Sequence, residues 1–228
     1  SLARAAVFSE YTISDNISRY LFRDSILPHK VIFVNRDMRR LSPICVIFAC
    51  WKTIPRVEDL RLAAETNDHG AGVAWREKKG KGEVVKWRKG LDIEALLEEV
   101  ASRPLPMLIH FRVASSGPIS PELTHPFPLD PDVRTDLEGE TSKGVLMHNG
   151  TINMWKSDLR EALHRSGGKL RLPPGPWNDT RSLAFLVAHF GEGYVDTLLQ
   201  EQKIAILSTS WMGPIITPPG DWISSKEG

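Results

Sequence analysis

The order in which extended and helical segments arrive constrains this chain more than any other feature. Strand-like stretches come in clusters and helix-like stretches come in clusters, instead of alternating singly, which predicts antiparallel sheets with helices stacked outside them rather than a doubly wound parallel sheet. Cys45 to Trp51 is an apolar run of strand length. Arg56 to Thr66 has helical spacing at Val57, Leu60, Ala63 and Ala64. Gly70 to Trp75 and Glu83 to Arg88 flank a Lys/Gly turn at 78–82 and read as a hairpin. Asp92 caps a helix over 92–102 that Pro104 ends, and Met107 to Ala114 is a second strand.

A loop over 115–143 follows, with prolines at 118, 121, 126, 128 and 131, and a loop of that length inside a compact domain is usually functional. Gly144 to Ile152 reads as a strand running into a turn. Helices are expected at 154–166, 179–190 and 194–202, with Gly167 and Gly168 ending the first as a C-cap. Lys203 to Ser208 is a strand, 213–223 a Pro/Gly-broken edge, and 221–228 ends without a convincing closing strand.

Composition narrows the function. With 228 residues, 41% hydrophobic and 25% charged, the chain is of the globular class and long enough for one domain with a sizeable core. A net charge of +1 supplies no field toward nucleic acid or a membrane surface, so neither is expected as a partner. No apolar run approaches the roughly 18–20 residues of a membrane span. Cys45 and Cys50 form neither a disulfide framework nor a zinc pattern, no metal is expected, and a reactive thiol suits a reducing cytoplasm. Residues 1–43 carry scattered arginines and no sustained period, and the first methionine is Met38. Residues 1–44 are therefore expected to be a leader, a propeptide or an upstream extension. The domain is expected over 45–228, shortened at its C-terminus.

Four segments, in order, resemble the class II glutamine amidotransferase domain, a branch of the N-terminal-nucleophile hydrolases. They are Cys45-Val-Ile-Phe48, Arg112-Val-Ala-Ser-Ser-Gly117, His148-Asn-Gly-Thr-Ile152 and Asn178-Asp-Thr-Arg-Ser-Leu183. Asn67-Asp-His-Gly-Ala-Gly72 and Thr124-His-Pro-Phe127 are similar to the compact, stand-alone branch of that family. The resemblance implies a four-layer αββα sandwich of two antiparallel sheets, an α+β fold. It implies Cys45 as nucleophile, with the Asn149 side-chain amide and the Gly150 N–H as oxyanion hole. It implies Arg112 on the α-carboxylate of L-glutamine and Asp179 on its α-ammonium, with Ser115 and Ser116 lining the same subsite. No cofactor is implied. The ammonia released would pass to a partner synthetase, in trans or in a downstream domain, since no ATP-binding motif is present here.

Elementary chemistry agrees with that assignment. An amide is a poor electrophile, so its hydrolysis needs a strong nucleophile and a stabilised oxyanion. A cysteine at a chain start can use its own α-amine as base, because that amine has a pKa of about 8 and is partly neutral near pH 7; neither His110 nor His148 is then required as a general base. Cys45 is preceded by Ile44. The amine must therefore be freed, by cleavage or by translation starting at codon 44. Two alternatives stay open: action on another γ-glutamyl compound, whose head group is identical, and an inert domain in which Cys45 is never freed. Asp179 is also placed to cap the helix that follows it.

Overall fold

Among the described residues, strand alternation and helix amphipathicity sort the apolar side chains into three clusters, and those clusters separate four layers. The computed structural model describes residues 45–191 and 202–209, with strand backbone at 214–216 and 222–223. The expected helix at 194–202 and the expected leader lie outside the described residues, save Gln202.

The first sheet holds β1 (Val46–Cys50), β2 (Ala71–Lys79), β3 (Gly82–Leu91), β4 (Met107–Phe111), β6 (Glu138–Thr141) and β10 (Trp222–Ile223), in the order β10-β1-β4-β2-β3-β6. The second holds β5 (Phe127–Pro128), β7 (Gly144–Asn149), β8 (Lys203–Ser208) and β9 (Pro214–Ile216), in the order β5-β7-β8-β9. Every described pairing is antiparallel.

Because successive side chains on a strand point to opposite faces, β1 sends Ile47 and Ala49 one way and Val46, Phe48 and Cys50 the other. The first pair joins Ala74, Trp87, Leu108, Val145, Met147 and Leu207 in a core between the sheets. The second set packs with Leu60 of α1 (Val57–Thr66) and Leu96 of α2 (Ile93–Ser102). On the far side, Leu146 and Ile206 of the second sheet pack with Leu159 of α3 (Trp155–Arg165) and Phe185 of α4 (Asp179–Phe190). The result is the αββα sandwich of two antiparallel sheets that the family resemblance implied. No helix among the described residues is long and apolar enough to cross a membrane.

Several element boundaries differ from the sequence reading. The β2–β3 hairpin runs out to a two-residue turn at Gly80 and Lys81. Opposite charges paired across its strands, Arg76 with Glu83 and Lys86 with Glu77, each at 3.1 Å, support the extra length. β4 ends at Phe111, so Arg112 to Ala114 lie beyond the strand. The 115–143 segment is not wholly loop: it contains a one-turn 3-10 helix (Pro121–Leu123), β5 and β6. Trp222 and Ile223 pair with Ala49 and Phe48 of β1, within the 213–223 stretch expected as an edge.

Lys89, outside the expected strand, lies fully buried on β3 and donates to the carbonyls of Glu122 (2.9 Å) and Pro126 (3.3 Å). It thereby ties the proline-rich segment to the first sheet. Gly72 of β2 meets the same segment: a Cβ there would land on the His125 carbonyl.

Candidate active site

The start of β1, the ends of β4 and β7 and the first turn of α4 converge on one pocket, open to solvent. Cys45, Arg112, Ser115, Ser116, Gly150 and Asp179, all picked out from the sequence, line it together with Val113, His125, His148, Asn178 and Thr180. Asn149 is buried at the end of β7, next to Gly150, and is not itself a lining residue.

Cys45 stands one residue before β1. Val46 pairs with Phe111, so the antiparallel register carries Cys45 alongside the segment just past β4. There its Sγ lies 3.2 Å from both the N–H and the carbonyl oxygen of Val113; the thiol donates to the carbonyl and accepts from the N–H. Burial pushes the thiol pKa up. The Val113 N–H, the Arg112 charge and Cys45's own backbone N–H pull it down, and the Asp179 carboxylate adds to the rise. The net direction is upward, so the resting thiol keeps its proton and needs a base to become a nucleophile.

Burial makes three histidines of this domain weaker bases than a free imidazole. Burial pushes His110 down to about 3, His125 well below its ordinary range, and His148 down as well. His110 and His125 stack at 3.9 Å between ring centroids, and the His125 Nδ1 accepts from the His148 N–H at 3.4 Å. His69 is another residue that sequence reasoning left without a role. Its Nδ1 accepts from the Ala114 N–H at 2.8 Å, which fixes the backbone carrying Val113.

Arg112 is 2% exposed. Its Nη2 donates to the carbonyls of Ser116 (3.3 Å) and Pro118 (3.0 Å), and its buried Nη1 has no acceptor among the described residues. One arm of the guanidinium therefore holds the loop, and the other is buried without an acceptor among the described residues. A buried charge with an open donor is a favourable place for a carboxylate, which guanidinium binds with paired hydrogen bonds. Asn178, not Asp179, caps α4, accepting from the Arg181 N–H at 2.8 Å. Asp179 occupies the first turn, where its Oδ1 accepts from the Thr180 N–H (2.9 Å) and its Oδ2 from the Ile152 N–H (3.0 Å). That second bond ties α4 to the turn after β7. Ser115 reaches the same turn, its hydroxyl accepting from Thr151 Oγ1 at 2.9 Å.

Gly150 has φ +143°, a conformation that side-chain-bearing residues rarely adopt. No group of three or more His, Cys, Asp or Glu residues among the described residues is arranged to hold a metal ion.

No protein-family model and no curated protein matches the chain. Among solved structures, the chain is similar to glutamine phosphoribosylpyrophosphate amidotransferase from B. subtilis, complexed with ADP and GMP. The identity is 15% and the TM-score 0.44, over 73% of this chain and 35% of that one.

Proposed function

We propose that this chain hydrolyses the side-chain amide of L-glutamine, as the glutaminase half of a glutamine amidotransferase. The observation that carries the reading is that a cysteine thiol, a buried arginine with one unpartnered donor and a buried carboxylate line one pocket, beside a glycine with positive φ. Arg112 takes the α-carboxylate of glutamine and Asp179 its α-ammonium, which leaves the distal amide to reach Cys45. Ser115 and Ser116 complete the head-group subsite.

The free α-amine of Cys45 takes the thiol proton as Sγ attacks the amide carbon. The carbonyl oxygen becomes an oxyanion held by the Asn149 side-chain amide and the Gly150 N–H. The same amine, now protonated, returns the proton to the leaving nitrogen. The C–N bond breaks and ammonia departs from a γ-glutamyl thioester. Water, activated by the amine, then cleaves the thioester to glutamate and restores the thiol. The ammonia is consumed by a synthetase in trans or in a downstream domain.

Asn149→Ala tests the oxyanion step. The variant should lose about 10²–10³ in kcat for glutamate release with little change in KM, the usual loss for one oxyanion donor. Unchanged kcat would remove Asn149 from the site. Absence of any glutamate release from the parent protein beginning at Cys45 would sink the reading.

A further inference from the structure

The turn after β7 is held from a direction the mechanism above does not use. Gln202, immediately before β8, places its Oε1 2.7 Å from His148 Nε2 and its Nε2 3.5 Å from the Thr151 carbonyl oxygen. A backbone carbonyl can only accept, so the amide nitrogen of Gln202 faces Thr151 and the amide oxygen faces His148. His148 Nε2 must then donate. In the neutral ring that leaves Nδ1 as an acceptor, and the Thr180 hydroxyl, at 3.1 Å, donates to it. The chain of bonds runs in one direction, from Thr180 of α4 through the His148 ring to Gln202 and on to the backbone of Thr151.

The His148–Gln202 bond passes over the face of Gly150. A Cβ on Gly150 would land on Gln202 Oε1 and sit 3.0 Å from His148 Nε2. Glycine at this position thus serves two ends: it permits the φ of +143°, and it leaves room for the bond. The turn is also tied by Asp179 at the Ile152 N–H and by Ser115 at the Thr151 hydroxyl. The bond from Gln202 reaches it from the residue that leads into β8, the strand that pairs with β7, where His148 and Asn149 lie opposite Ile204 and Lys203.

We infer that His148 and Gln202 are positioning residues, a hydrogen-bonded lock that fixes the Asn149–Gly150–Thr151 backbone and so aims the Gly150 N–H. As a role in catalysis this rests on the glutamine-hydrolysis reading; as a device in the fold it does not. Both ring nitrogens of His148 are occupied, by Thr180 and by Gln202, and Gln202 does not line the pocket. Both side chains act through the glycine, whose N–H must point at a developing oxyanion, where a misplacement of about 1 Å costs on the order of a hundredfold in rate.

Gln202→Met tests the lock, because methionine keeps the length of the side chain and removes both bonds. Two measurements on the full chain need no activity: the nitrogen shifts of the His148 ring in labelled protein, and the exchange rate of the Gly150 amide. The parent should show a neutral His148 with the proton on Nε2. In the variant the shift of Nε2 should move and the Gly150 amide should exchange at least tenfold faster, while the rate of Cys45 alkylation by iodoacetamide stays as in the parent.

Kinetics follow on the form of the chain that hydrolyses glutamine. There Gln202→Met should lower kcat about tenfold to a hundredfold and leave KM within about twofold, since Arg112 and Asp179 are untouched. Thr180→Val, which removes the donor to Nδ1, should move the same quantities in the same direction by less. A proton on Nδ1 in the parent, or Gly150 exchange unaffected by Gln202→Met, overturns the lock. A normal kcat in an active Gln202→Met protein overturns its catalytic role. If the parent releases no glutamate in any form, the glutamine reading fails, and the lock is judged on the ring shifts and amide exchange alone.

Discussion

Replacing Arg112 by lysine separates the two tasks of its guanidinium. In the parent, Nη2 is committed to the Ser116 and Pro118 carbonyls, and Nη1 has no acceptor among the described residues. A lysine keeps one positive charge and three donors on a single nitrogen, which cannot hold both loop carbonyls and reach a ligand as well. The substrate therefore loses about one charge-assisted hydrogen bond, worth about 1.5–3 kcal/mol, or roughly tenfold to a hundredfold in affinity. KM for glutamine should rise by that factor. Because the α-carboxylate is held alike in the ground and transition states, kcat should stay within about threefold.

Arg112→Met removes the charge as well. Its KM should rise at least as far, and with the Arg112 charge gone the Cys45 thiol pKa should move further up. Alkylation of Cys45 by iodoacetamide at fixed neutral pH should then slow in the methionine variant and not in the lysine variant. The assays are steady-state glutamate release across glutamine concentration and alkylation rate across pH. An unchanged KM in both variants would show that Arg112 serves the loop alone. A fall in kcat at constant KM in the lysine variant would place it at the reacting centre instead.

Two further predictions concern buried basic groups. Burial holds Lys89 down to about 7, while an unfolded lysine titrates near ~10.4; between those values the unfolded chain retains a proton that the fold has released. Stability should therefore rise with pH across that window, by up to about 1.4 kcal/mol per pH unit. Urea denaturation at pH 7, 8 and 9 should show this rise for the parent and a flatter line for Lys89→Met, and parallel lines would refute it. His125, held well below its ordinary range, takes up a proton near ~6.5 only when unfolded. Stability should thus fall as pH drops below ~6.5, less steeply in His125→Asn, whose side-chain oxygen can still accept from the His148 N–H; an equal fall in both proteins would refute the assignment.

The layers of this fold were legible because apolar side chains follow the period of each element. Ile47 and Ala49 against Phe48 and Cys50, or Val145 and Met147 against Leu146, sort themselves by alternation alone. The pocket residues were legible because four short segments, at strand ends and at a helix start, resemble those of the class II glutamine amidotransferase domain.

What escaped was set by contacts distant in sequence. Lys89 reads as one more charge on an exposed hairpin, and only the carbonyls of Glu122 and Pro126 make it a buried anchor. Gln202 carries no local signal, since its partner His148 is 54 positions away. The capping residue of α4 was misplaced by one position, because Asn178 and Asp179 are both good N-cap residues and only geometry separates them.

In the proposed reaction the α-amine of Cys45 is the base for its own thiol. Burial raises the thiol pKa, and it lowers those of His125 and His148, which line the same pocket. The direct test compares glutamate release by a chain whose first residue is Cys45 with release by the same chain carrying Ile44 ahead of it, the N-terminus of each verified by mass spectrometry. One peptide bond converts a basic amine into an amide nitrogen with no basic lone pair and leaves the folded domain otherwise alike. The account predicts glutamine hydrolysis from the first and only background release from the second. Equal kcat/KM from the two chains would contradict it.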